Sequence, residues 1–405
     1  MTTLNKLTKW RKAPSLHDFQ VLFTVSLAAL LTACGAGSDP ELVEEIPDIV
    51  DVEIIEGVFG NNLSLTSPHN YASQTIPNYI NEDNTSGNQI ENKVATLGRV
   101  MFYDKNLSSN NTVSCASCHQ QSAAFGDLNQ LSQGVNGVTG RHSMRLVNAR
   151  FSDEERFFWD ERASTLEEQA TMPIQDHNEM GFSGQNGAPD INDLIQKLEQ
   201  TDYMVELFEY AFGDSEITEN RMQLALAQFV RSIQSFDSKY DAGRSRVNDR
   251  RNDFPNFSTV ENLGKALFMG RAGCDRCHQG DEFSIDDNSD NNGVITDASD
   301  TNGFDIEVTR APTLRDIFNA SGDLNGQLMH DGSFETMEEV IAHYNQIEVD
   351  PNNNNLDVRL LDMRNRNEGQ SLDLDQDEVS AIVAFVKTLS GSNVYTDPKW
   401  SDPFN

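Results

Sequence analysis

The sequence predicts a mainly α protein made of two similar halves, and three observations carry that expectation. Apolar residues recur at helical spacing, as in Val94, Leu97, Val100, Met101 and Phe102, and again in Met222, Leu226, Phe229, Val230 and Ile233. Alternating runs of β-branched residues are scarce throughout. A Cys-x-x-Cys-His pattern occurs at 115–119 and again at 274–278. Leu97-Gly98-Arg99-Val100-Met101-Phe102 leads to the first copy, and Leu263-Gly264-Lys265-Ala266-Leu267-Phe268 leads to the second.

Taken in order, the chain begins with Lys6, Lys9, Arg11 and Lys12, followed by a charge-free, mostly apolar run over 19–31. That run is too short and wrongly flanked for an ordinary membrane span, so residues 1–34 read as an export signal. It ends Leu31-Thr32-Ala33-Cys34-Gly35, which resembles the lipobox of bacterial lipoproteins. Cys34 is therefore expected to carry a lipid that tethers the body to the periplasmic side of a Gram-negative membrane. Residues 35–75 read as an acidic tether, with little helical or strand pattern over 36–60.

A helix-like approach over 76–103 leads to the first motif, and the Gly/Asn/Gln/Ser-rich stretch 126–140 reads as a loop. Helices are expected at 166–170, 191–198, 204–211 and 217–236, then a polar link at 244–256. The second half repeats the logic: an approach before 274, an acidic Gly/Asn/Asp loop over 281–305, and helices at 335–345 and 374–389. The expected boundaries are 76–255 for the first domain, 256–395 for the second and 396–405 for a tail.

The repeated motif is the attachment pattern of haem c. Cys115 and Cys118 would add to the two vinyl groups of one haem and His119 would reach its iron; Cys274, Cys277 and His278 would do the same for another. Paired zinc knuckles or redox dithiols are the alternative, but zinc would need the two pairs close enough to share an ion. The net charge of −34 argues against nucleic acid as a partner and suits steering of a basic electron-donor protein, or simply a solvated acidic surface.

Several further phrases, in order around the two motifs, resemble the bacterial di-haem cytochrome c peroxidase and MauG family. They are Leu97-Gly98-Arg99, Phe158-Trp159-Asp160-Glu161-Arg162-Ala163, Leu166-Glu167-Glu168-Gln169-Ala170, Asn178-Glu179-Met180-Gly181, Ala311-Pro312-Thr313-Leu314-Arg315 and Met329-His330-Asp331-Gly332-Ser333-Phe334. The resemblance spans roughly residues 76 to 395. It implies two cytochrome c-like helical domains whose haems face a common interface, with hydrogen peroxide reacting at the amino-terminal haem.

The resemblance also implies roles. Many members place a distal histidine where this chain has Val135, so the first iron is expected to be open; His142 is the alternative ligand. Glu179 falls on the proton carrier and Gln169 on the residue that orients peroxide. Trp159 falls between the haems, where an indole can pass an electron or simply pack. Asp160 and Arg162 are expected to form an ion pair or to bind haem propionates. Tyr344 falls on the second haem's other ligand, with Met363 and His343 as rivals; a phenolate there would lower the reduction potential. The family's calcium ion would meet His142 at the asparagine position and carbonyls near Asn325 and Gln327, although a hard cation prefers oxygen. The acidic loop 281–305 is another place for it.

The expected function is thus peroxide reduction with electrons from a small cytochrome c or cupredoxin. Oxidation of residues in a partner protein, as in MauG, is the alternative, and a plain electron-transfer cytochrome is the third.

Overall fold

The computed structural model describes residues 50–152, 156–285, 288–300 and 303–404. The expected export run, Cys34 and the start of the tether lie outside the described residues. Eleven α-helices follow in order: α1 Val52–Phe59, α2 Asn92–Tyr103, α3 Cys115–Cys118, α4 Leu166–Gln175, α5 Ile191–Leu198, α6 Asp202–Phe212, α7 Glu219–Ser232, α8 Lys239–Arg244, α9 Thr259–Phe268, α10 Met337–Asn345 and α11 Gln376–Lys387. Among the described residues β pairing is limited to isolated bridges, so the mainly α expectation holds.

Two apolar cores form. One gathers α1, α2 and α4–α7 around Leu97, Phe102, Leu207, Phe208, Leu226 and Phe229. The other gathers α8–α11 around Tyr240, Phe268, Phe283, Ile382 and Phe385. The repeated approach phrase explains how each core closes. Gly98 of α2 lies so near α7 that a Cβ there would fall 2.0 Å from the Ala225 carbonyl oxygen, and a Cβ on Gly264 of α9 would fall 1.8 Å from that of Ala381 in α11. Only glycine lets these helix pairs approach this closely. The next residue is a buried cation in both halves. Arg99 Nε donates to Ser401 O at 2.7 Å, and Lys265 Nζ donates to Arg250 O and Asn252 O at 2.8 and 2.5 Å.

The structure corrects the sequence expectation in three places. Residues 52–59, expected as tether, form a helix. Asp51 caps it by accepting from the Glu53 N–H, and Ile55 and Phe59 enter the first core, Phe59 against Tyr203 and Phe404. Two apolar residues four apart in an acidic stretch are too weak a pattern to stand out. Residues 76–91, expected as part of a helix, are irregular except for turns. Their side chains bond across the fold instead: Asn84 Nδ2 to Ala149 O and Asn88 Nδ2 to Leu224 O. The final segment returns to the first core, burying Val394 and Trp400, while Tyr71 and Tyr103 donate to Lys399 O and Trp400 O.

Candidate functional site

Each Cys-x-x-Cys-His motif sits on one tight turn. In the first, Ser114 and Ser117 form a capping box around α3, and the His119 N–H returns to Cys115 O at 2.9 Å. His119 Nδ1 lies 3.1 Å from the Phe125 carbonyl. A carbonyl can only accept, so Nδ1 carries the proton and Nε2 keeps its lone pair for a metal. The carbonyl is aimed by an unusual backbone, with φ of 54° at Ala124 and 60° at Phe125, a region bulky residues rarely adopt. The second motif repeats this arrangement: His278 N–H to Cys274 O at 2.9 Å, His278 Nδ1 to Phe283 O at 3.0 Å, and φ of 54° at Phe283.

Both motifs open into cavities. The first, of about 610 Å³, is walled by Cys115, Cys118 and His119 together with Gln169, Glu179 and Met180. The second, of about 170 Å³, is walled by Cys274, Cys277, His278 and Tyr344. None of these four cysteines is paired in a disulfide. Burial pushes Cys115 up to about 12 and Cys118 up to about 11, the reverse of what a redox dithiol needs. Among the described residues no group of three or more His, Cys, Asp or Glu could hold a metal ion by itself. Two neutral thiols and one free imidazole nitrogen in each cavity fit a covalently attached haem, not a shared zinc.

Glu179 and Gln169 meet in the first cavity. Gln169 comes from α4, and Glu179 from a turn that Asp176 organises by accepting from the N–H groups of Asn178 and Glu179 at 2.8 and 2.9 Å. The loop carrying Val135 is pinned to that turn: Val135 N–H donates to Glu179 O at 2.9 Å and Asn136 N–H to Asn178 O at 3.2 Å. Gly134 lines the cavity, while the Val135 side chain lies against Gly181. The Glu179 carboxyl is raised to about 7, chiefly by burial and then by the Asp176 charge, with Arg162 opposing both. Arg162 itself pairs with Asp160 at 2.8 Å and covers the Phe158 ring.

Trp159 and His142 stand in the wall of both cavities. Trp159 Nε1 donates to His142 O at 2.7 Å, and its ring meets His330 edge-on at 6.3 Å. His142 is buried, with Nδ1 3.0 Å from both Asn129 O and Gln130 O and no hydrogen-bond partner at Nε2. Tyr344 lines the second cavity, where burial drives its hydroxyl well above its ordinary pKa and a hydrogen bond with Asn292 opposes the shift. Its rivals lie elsewhere. Met363 is 82 % exposed, and His343 Nε2 is 3.0 Å from Asn292 O.

A calcium ion does not fit the residues expected to hold it. His142 offers nitrogen where an oxygen is needed.

Sequence reasoning missed other wall residues. Glu282, from the second half, lines the first cavity. It accepts from Asn148 Nδ2 at 2.8 Å, and burial raises it to about 8. Arg145 and Arg310 line both cavities. Residues 297, 299, 304, 305 and 307 show that the acidic loop and the segment after it cover the first cavity. Nothing in the loop's composition signals this; the repeated domain pattern is the only hint that one half roofs the other.

Comparison with known proteins gives consistent matches. A family model described as di-haem cytochrome c peroxidase matches residues 92–248. A methylamine utilization protein MauG of Methylorubrum extorquens is 32 % identical over 262 residues, covering 62 % of this chain and 68 % of that protein. A cytochrome c551 peroxidase of Nitrosomonas europaea is 28 % identical over 309 residues, covering 74 % and 80 %. A solved MauG-like protein associated with microbial copper homeostasis is 28 % identical, with a TM-score of 0.65, covering 82 % of this chain and 99 % of that one.

Proposed function

The chain belongs to the di-haem cytochrome c peroxidase and MauG family, and from that premise we propose that it reduces hydrogen peroxide in the cavity of His119, Gln169 and Glu179. It is an oxidoreductase that acts on peroxide and carries two c-type haems. The observation that carries the assignment of the site is the Glu179 carboxyl. It stands in the wall of the same cavity as His119 with a pKa raised to about 7.

Cys115, Cys118 and His119 would hold a haem, which would supply iron for the two-electron reduction of peroxide. The protein's residues manage the protons. Near neutrality Glu179 is about half ionised, so it can take the proton from one peroxide oxygen and return it to the other as the O–O bond parts. Two more protons from solvent complete two waters. Gln169, with both a donor and an acceptor on one amide, orients the bound peroxide. Val135 carries no group able to bind iron, which leaves the first site open. Trp159 lies in the wall common to both cavities and provides a π-system between them. Tyr344 is the second haem's other protein ligand, a reading supported by its place in that cavity and by the exposure of Met363.

Electrons come from a small cytochrome c or cupredoxin, and a basic donor would be steered by the net charge of −34. Oxidation of a partner protein's residues is the second reading, favoured by the tyrosine in the wall of the second cavity. A lipid on Cys34, in the Leu31-Thr32-Ala33-Cys34-Gly35 phrase, holds the enzyme at the periplasmic face of the membrane.

Four outcomes are expected. Glu179→Gln should slow peroxide cleavage by roughly 10²–10⁴-fold while both haems stay attached. The wild-type rate should rise as pH climbs through about 7, because the carboxylate base appears above its raised pKa, and the variant should lose that inflection. A near-normal stopped-flow rate would remove Glu179 from its role. Tyr344→Phe should change the visible spectrum of the second haem alone, and Met363→Ala should leave both spectra intact; the reverse pattern would reassign the ligand. Cys34→Ser should move the protein from the membrane fraction to the soluble one, and an unchanged distribution would rule out the lipid.

A further inference from the structure

The wall between the two cavities holds a cation, Arg145. Arg145 lines both cavities, and its stem crosses Gly126, where a Cβ would come 2.8 Å from Arg145 Cγ. Its Nε is buried and has no hydrogen-bond partner, and among the described residues it forms no ion pair. Asp316 acts on it through space; Oδ1 of that carboxylate receives the Gly391 N–H at 2.8 Å and the Tyr395 hydroxyl at 3.2 Å, while its buried Oδ2 has no hydrogen-bond partner. Burial of Arg145 lowers its pKa to about 10, so it stays charged at any physiological pH.

A buried charge persists only where something pairs with it. The other groups in this shared wall do not serve: His142, Met144, Trp159, Arg310 and Pro312 include no anion. Each haem brings two carboxylates, so the missing anions arrive with the cofactors. A divalent cation there would meet the charge of Arg145 and the nitrogen of His142.

We propose that Arg145 is the resident cation of the wall between the cavities, binding haem carboxylates and standing in place of a calcium ion. The inference rests on reading both cavities as haem sites.

The test uses the purified holoprotein with both haems counted by their pyridine adducts. Calcium is measured before and after treatment with EGTA, and midpoint potentials are followed by spectroelectrochemistry. Wild type should hold two haems and only substoichiometric calcium, and EGTA should leave spectra and potentials unchanged. Arg145→Met should lower the potentials, because losing a nearby positive charge favours oxidised iron, and Arg145→Lys should restore most of the shift. One calcium per chain whose removal changes the spectra overturns the proposal even if no variant folds. So does Arg145→Met with two haems and unchanged potentials. Fewer than two haems in wild type would instead remove the reading of the cavities, and this inference with it.

Discussion

The hydrogen bond between His119 Nδ1 and the Phe125 carbonyl, and its counterpart between His278 and Phe283, decide what each cavity can do. Each fixes the imidazole's tautomer and holds its ring, leaving Nε2 for a metal. Partners of this kind are worth roughly 10–100-fold in metal affinity where they have been removed. The carbonyls are aimed by left-handed backbone at Phe125 and Phe283, and both rings pack into the cores behind them. Core, loop and ligand in each half thus depend on one another. The close helix pairs at Gly98 and Gly264 set the space in which this happens.

The two halves differ where their chemistry differs. The first cavity holds Gln169 and a Glu179 carboxyl lifted towards neutrality by burial and by Asp176; the second holds a buried tyrosine. One cavity thus carries a carboxyl that can exchange a proton near neutrality, and the other a phenol. Trp159 and His142 belong to both walls, so a change in either cavity is felt at the same residues.

Much of this was legible in the sequence because the signals are local. The attachment motifs, the glycine of each approach phrase and the apolar stripes of α2, α7 and α11 are fixed by spacing along the chain. Helix ends were less legible. Residues 76–91 carry apolar and polar residues in a helix-compatible order, yet Asn84 and Asn88 bond to distant carbonyls instead. The cover over the first cavity by residues 297, 299, 304, 305 and 307 and the return of Trp400 to the first core are long-range facts without a local mark. Arg145 reads as an ordinary charged residue until the fold places it between two cavities.

The account stands on a coordination position of the first haem that no side chain of the protein fills. Electron paramagnetic resonance of the oxidised holoprotein tests this directly. The expected spectrum contains one high-spin haem beside one low-spin haem. Two low-spin haems, in a protein that remains inert to peroxide when reduced, would contradict the account and leave an electron carrier in its place.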